Sequence, residues 1–391
     1  MKQNASGAMA REIMTEFAER TGLAPAGKVP RRYLWTDAFA VCNFLEVYRQ
    51  RGEEKYKDLA LRLVDQVHNI LGRHREDDPR TGWISGLDER EGKKHPTKGG
   101  LRIGKELNER KPADPFDESL EWDRDGQYYH YLTKWMHALN RVSRVTGDST
   151  HNTWAMELAK TAHARFTYGS SSAGQKRMYW KMSIDLSYPL VPSMGHHDPL
   201  DGFITYNQLQ ATAAKKPEKS KGLDLKAEIA DLANICKGKN WVTDDPLSIG
   251  GLLSDAYRVA QLMVNEYFEP TNLPEILLDS SLPGLESCAK KNPWKLPADH
   301  RLAFRELGLS IGLRAVEKLR GLIEENPGFF GGKLPLPSRI ESLMQYKSWI
   351  EAIEMFWLES VNREASSWIE HRDINMVMLA TSLAPDGYLT L

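Results

Sequence analysis

Apolar residues recur along this chain every three to four positions, the spacing of one buried helical face, and few segments alternate with a period of two. The pattern predicts twelve helices, at about 8–21, 36–51, 54–73, 124–146, 149–168, 199–214, 221–238, 249–267, 271–290, 300–320, 344–362 and 365–383. Their ends are marked by residues that cannot continue a helix or that satisfy its terminal groups. Gly52, Gly72 and Gly147 stand where helices should stop. Thr146-Gly147-Asp148-Ser149 reads as a turn with Asp148 or Ser149 capping the next helix, and Asn326-Pro327-Gly328 closes another.

Helices joined by such short loops stack as αα-hairpins. The later starts, near 250, 300 and 350, recur at intervals of roughly fifty residues, but the units share little sequence, which argues against a regular repeat array. The expected fold is all-α: a single domain over residues 1–391 built as an (α/α)6 toroid, with alternate helices forming an inner barrel and an outer layer. Two insertions, about 74–121 and 169–198, break the helical pattern. Each precedes a predicted inner helix, so both should lie at one end of the ring, over its mouth. The second contains Arg177 to Met182, a predicted strand.

The chain has 391 residues, is 41 % hydrophobic and 27 % charged, and carries a formal net charge of −1. That supplies ample core and no broad attraction to nucleic acid or anionic membrane. Cys42, Cys236 and Cys288 are far apart, so neither a zinc cluster nor a disulfide framework is expected. Residues 1–30 hold no apolar leader core and no run reaches membrane-spanning length, so a cytoplasmic protein is expected.

Candidate chemistry gathers where helices begin. Trp122-Asp123-Arg124-Asp125-Gly126-Gln127-Tyr128-Tyr129-His130 leads into an apolar run, and Tyr33-Leu34-Trp35-Thr36-Asp37 leads into another. Carboxylates at such a mouth either cap the helix or, in mixed surroundings, divide into one charged and one protonated acid. Asp125 and Asp37 each have a neighbour able to cap, Asp123 and Thr36, which leaves them for acid or base work. His196-His197-Asp198-Pro199 is the densest polar cluster; adjacent histidines point apart and do not share a metal, while Asp198 before a proline reads as a cap. The substrate-binding candidates are Trp83, Trp122 and Tyr128, which could stack on sugar rings, with His130, His196 and His197 to orient substrate. Glu351 and Glu354 read as a solvated helix face, and Asp77-Asp78-Pro79 as a turn. The basic stretch Lys93, Lys94, His95, Lys98 and Arg102 offers an anion-binding patch or a solvated loop. Neither a phosphate-cradling loop nor a G-x-S-x-G elbow is found, and no cofactor or metal is expected.

The helix pairing, the turn Asp78-Pro79-Arg80-Thr81-Gly82-Trp83 after an outer helix, and the Trp-Asp-x-Asp-Gly helix start together resemble the six-hairpin glycosidase-like superfamily. The motif likeness covers about twenty residues, the architecture most of the chain. The resemblance implies a carbohydrate-active enzyme; related toroids include glycoside hydrolases, sugar epimerases, lyases and terpene cyclases. The leading expectation is hydrolysis of a glycosidic bond in a small oligosaccharide, with Asp125 as acid or base and Asp37 as its partner. The alternatives are a sugar epimerase or isomerase using histidine, and a non-catalytic binding toroid or a protein resembling a terpene cyclase. The expected partner is a saccharide, with no nucleic acid and no membrane.

Overall fold

The computed structural model describes residues 2–27, 30–169, 176–215, 223–265, 268, 271–330 and 336–391. Residues 170–175 of the second insertion, the start of the predicted helix 221–238 and the end of the predicted helix 249–267 lie outside the described residues. From the N-terminus the helices are α1 (Lys2–Arg20), α2 (Leu34–Arg51), α3 (Glu54–Leu71), α4 (Glu89–Lys94), α5 (Glu118–Asp123), α6 (Tyr129–Thr146), α7 (Ser149–Phe166), α8 (Asp198–Ala214), α9 (Lys226–Cys236), α10 (Pro246–Val264), α11 (Leu273–Lys291) and α12 (Ala303–Glu325). They continue as α13 (Pro327–Phe330), α14 (Leu336–Met344), α15 (Ser348–Leu358), α16 (Ser366–Glu370), α17 (Arg372–Leu383) and α18 (Asp386–Leu389). Five short strands lie between α5 and α8: β1 (Gln127–Tyr128), β2 (Thr167–Gly169), β3 (Lys176–Met178), β4 (Lys181–Met182) and β5 (Pro189–Val191). The all-α class read from the sequence holds.

The chain divides into two compact units. One comprises Ala18–Tyr48 and Glu53–Gly238; the other comprises Met1–Phe17, Arg49–Gly52 and Lys239–Leu391. In the first, α6 and α7 form the predicted hairpin. Gly147 ends α6 in the left-handed region (φ 74°), where a side chain would be strained, and the Asp148 carboxylate accepts from the Thr150 amide to cap α7. Helices α2, α6 and α8 are buried on nearly every face, whereas α3 buries one stripe, including Tyr56, Ala60, Leu63, Val67 and Leu71. That alternation of wholly buried and one-sided helices is the layering an (α/α) toroid requires. In the second unit α10 packs against α11 and α12. The approach of α10 to α12 is so close that a Cβ at Gly250 would lie 2.0 Å from the Gly308 carbonyl oxygen, and one at Gly312 would lie 2.5 Å from the Gly250 Cα.

The two insertions of the first unit are bound to each other. Strands β1, β4 and β5 form an antiparallel sheet in that order, with Gln127 opposite Met182 and Tyr128 opposite Lys181. Arg80 donates to Asp78 and Glu109 from its own insertion and to Asp185 of the other at 2.9 Å, and the Gln127 amide reaches the Ile184 carbonyl at 2.7 Å. The Asp78 turn therefore does more than reverse the chain: it anchors this cluster, and Arg80 holds its carboxyl well below the usual range. The helix predicted from 124 begins only at Tyr129. Gly126 adopts φ 149°, and the next two residues are spent on β1.

Candidate functional site

Three of the residues singled out from sequence, Trp122, Tyr128 and His130, meet in the first unit around a tryptophan that was not. Residues 179–181 leave β3 and enter β4, and this carries Trp180 over the start of α6. There its ring lies parallel to His130, 6.3 Å away at 11°, and 5.2 Å from Tyr128. Tyr131 closes the cluster, edge-on to His130 at 4.8 Å, and its hydroxyl meets that of Tyr33 at 2.7 Å. Trp122 stands edge-on to Trp180 at 5.3 Å and is 51 % exposed, so it forms the rim. The β1–β4 pairing sets this arrangement by fixing Trp180 beside the first turn of α6. Trp83 lies elsewhere: it is buried over Gly92 with the Arg73 guanidinium 4.2 Å from its ring, and it is not part of this cluster.

The polar half of the site comes from α8. Asp198 is the first residue of α8, and its Oδ1 lies 3.8 Å from His130 Nδ1. That is too long for a hydrogen bond and right for a group that bridges the two. Asp198 Oδ2 and His130 Nδ1 both have no hydrogen-bond partner. The cap expected of Asp198 is thus not its role; the side chain turns away from its own helix toward α6. The fit depends on Gly195, where a Cβ would lie 2.3 Å from the Asp198 carboxylate. One turn on, Asp201 accepts from Lys134 Nζ at 2.9 Å through both oxygens and from the Thr133 hydroxyl at 2.5 Å. His196 and His197 precede Asp198 with ring centres 4.6 Å apart, His196 exposed and His197 at the N-cap of α8.

Burial sets the protonation of this pair. Desolvation, reinforced by the nearby Asp201 charge, pushes the Asp198 carboxyl up to about 8. Desolvation, with Lys134 adding repulsion, lowers the His130 imidazole to about 4. At neutral pH the site therefore holds a protonated carboxylic acid beside an uncharged imidazole. Lys105, 5.5 Å from the Tyr33 ring centre, is lowered by burial as well. Among the described residues there is no group of three or more His, Cys, Asp or Glu side chains able to hold a metal ion.

Asp125 and Asp37, the carboxylates expected to act as acid and base, are both engaged in ion pairs and backbone hydrogen bonds. Asp125 is completely buried. Its Oδ2 accepts from Arg102 at 2.9 Å and Arg75 at 3.4 Å, and its Oδ1 accepts from the amides of Gly104 and Gly126 at 3.0 Å. Asp37 accepts from the Tyr33 amide at 3.0 Å and pairs with Arg32 at 3.4 Å, which holds the chain entering α2. With four donors on it, the Asp125 carboxylate has no lone pair left for a substrate. Arg102, read as part of a basic surface stretch, is spent on Asp125. In the second unit Glu354 is not on a solvated face: it is buried and accepts from Ser382 at 2.7 Å and Arg314 at 3.0 Å.

No family model matches this chain, and no curated protein matches it. Among solved structures it is similar to cellobiose 2-epimerase from Spirochaeta thermophila DSM 6192, with 14 % identity, a TM-score of 0.48, and coverage of 95 % of this chain and 97 % of that one. It is similar to cellobiose 2-epimerase from Bacillus thermoamylovorans B4167 at 9 % identity and TM-score 0.43, over 81 % of this chain and 76 % of that one. A sugar epimerase from a ruminal bacterium matches at 9 % identity and TM-score 0.46, over 90 % and 87 %. At such scores the site is read from its own geometry. The expectation of glycosidic hydrolysis is overturned by the geometry: both carboxylates on which it rested are held in ion pairs, Asp37 with Arg32 and Asp125 with Arg102. No described helix is long and apolar enough to cross a membrane.

Proposed function

We propose that the centre formed by His130 and Asp198 moves a proton on a saccharide, as a sugar epimerase or isomerase does. The observation that carries this reading is the 3.8 Å gap between the two groups, with an unpartnered atom on each, under a wall of aromatic rings. Moving a proton next to a carbonyl needs a base for the carbon-bound hydrogen and an acid for the carbonyl oxygen. The uncharged His130 takes the proton, the C–H electron pair becomes a C=C bond, and Asp198 gives its proton to the oxygen. The result is an enediol, and return of a proton to carbon completes the change. A carboxyl kept protonated near neutral pH and an imidazole kept free of charge are the two states this step starts from. Asp201 is unsuited to act as a nucleophile, since Lys134 and Thr133 occupy its oxygens. Trp180, backed by the buried Tyr128, supplies flat apolar surface for the C–H face of a sugar ring, and Trp122 extends it outward.

Incubation with reducing mono- and disaccharides in deuterium oxide tests the proposal. Mass spectrometry should find one deuterium on the carbon beside the carbonyl, appearing at least about a hundredfold more slowly with Asp198→Asn or His130→Ala. Solvent deuterium absent from every sugar recovered from the wild-type reaction, or undiminished in both variants, would overturn it.

A further inference from the structure

A cavity of about 250 Å³ opens elsewhere in the first unit, between α3, the α4 segment and the start of α7. Trp83 and Trp154 form its walls, and both indoles are fixed. Trp83 donates to Glu89 at 3.3 Å and covers Gly92, where a Cβ would lie 2.3 Å from its ring. Trp154 donates to the Lys94 carbonyl at 2.9 Å. His68 and His151 line the interior, each edge-on to Trp154, at 5.1 and 5.2 Å. Both are more than nine-tenths buried. His68 Nε2 accepts from the Trp135 indole at 3.2 Å, so the ring proton sits on Nδ1, and burial lowers this histidine to about 3, which keeps it uncharged. His151 Nδ1 is buried and lies 3.7 Å from the Asp148 carboxylate at the start of its own helix, which leaves Nε2 as its other polar atom. At the lip, Asn69 gives its amide protons to the Asp65 carboxylate and carbonyl, at 3.0 and 2.9 Å, and this leaves its own oxygen and the second Asp65 oxygen as acceptors.

The geometry points to a second binding site here, for one neutral sugar ring. A hydrocarbon would leave the buried His68 imidazole facing it without a polar partner. Anions would meet Asp65, and cations would meet Lys93 at the lip and Arg73, which already lies on the Trp83 ring. What remains is a neutral molecule with hydroxyls that both donate and accept around an apolar face, which is a pyranose. The size agrees, since the cavity falls below the roughly 300–1,000 Å³ typical of pockets for drug-sized ligands and has room for one ring. None of its lining residues belongs to the His130–Asp198 centre, so this site does not depend on the proton-transfer reading.

The test uses methyl pyranosides of the gluco, galacto, manno and xylo series, whose blocked anomeric carbon prevents ring opening and therefore turnover. Protein labelled with fluorotryptophan is titrated with each, and fluorine NMR follows the tryptophan signals, assigned by Trp83→Phe and Trp154→Phe. At least one glycoside should shift the Trp83 and Trp154 signals to saturation, and glycerol should not. Asp65→Ala, at an exposed position, should weaken that binding about tenfold or more, as losing a charged hydrogen-bond acceptor does, whereas Asp198→Asn should leave it unchanged. If no glycoside moves the two signals, if only Trp122 and Trp180 respond, or if Asp65→Ala binds as wild type, the cavity is not a sugar site.

Discussion

Asp125 and Asp198 are the same side chain at nearly the same place in the chain's grammar. Each follows an insertion and stands at or just before the start of a buried helix, α6 or α8, and each is almost wholly removed from water. They differ in what surrounds them. Four donors converge on Asp125, two guanidinium groups and two backbone amides. Asp198 has a neutral imidazole at 3.8 Å and an oxygen with no partner. Burial of an acid therefore does not by itself indicate function. A buried acid with every lone pair engaged holds the fold, and a buried acid left short of donors keeps its proton and remains available to a ligand.

Substitution at the two aspartates should separate them most widely. Asp125→Asn leaves Arg102 buried opposite a neutral amide, and breaking a buried pair in this way costs about 3–5 kcal/mol. Urea titration followed by circular dichroism should show that loss, large enough to unfold part of the population of an ordinary domain. Asp198→Asn should do the reverse: a fold at least as stable as wild type, with proton transfer to the sugar reduced roughly 10²- to 10⁴-fold, the usual span for loss of a general acid. A stable, inactive Asp125→Asn beside an unfolded Asp198→Asn would invert the comparison.

The comparison sharpens with pH. Proton transfer needs Asp198 protonated and His130 unprotonated. The rate should fall as pH rises through about 8 and fall again as pH drops toward about 4, with the plateau between. Rates across that range, measured in wild type and Asp198→Asn, check it, and the alkaline limb should vanish in the variant. Stability carries the same signature. The Asp198 carboxyl is raised from 3.8 to about 8 in the fold, so between those values the unfolded chain releases a proton that the folded chain keeps, and stability declines as pH rises through this window. His130 acts oppositely: it is lowered from 6.5 to about 4, and its contribution is present above 6.5 and lost as pH falls toward 4. The gain in melting temperature of Asp198→Asn over wild type should therefore be larger at pH 8 than at pH 5.

Neighbours near in sequence were legible and partners far away were not. The 3.6-residue period places α3, α6 and α7, and Gly147 with Asp148 marks the turn between the last two. Where the prediction failed, a tertiary contact had overruled the local pattern. Residues 127–128 continue a helical period but pair with β4, more than fifty residues on, and the predicted helix 365–383 breaks into α16 and α17 at His371. The site divides the same way. Trp122, Tyr128 and His130 lie within nine positions of one another and were found together. Trp180 stood in a short predicted strand without any sign of what it faced. Asp198, ahead of a proline at a helix start, has the local form of a cap; that it lacks donors depends on Gly195, His130 and the crossing of α6 by α8. The donors of Asp125 were hidden for the same reason, because Arg102 and Arg75 are 23 and 50 positions away.

The smallest expected effect lies at the rim. Trp122 is half exposed and touches the site only through Trp180. If sugar rings line up along Trp180 and Trp122, Trp122→Ala should raise KM for a disaccharide about three- to tenfold and leave kcat and thermal stability nearly unchanged, since a stacking contact on a wet surface contributes roughly 1 kcal/mol. A monosaccharide short of the rim should show no change. Measuring both substrates thus asks whether the aromatic surface that begins at His130 serves as one track for the ligand. An equal change for the two sugars would confine the ligand to the inner rings, and a fall in kcat alone would mean that Trp122 acts by holding Trp180 against His130.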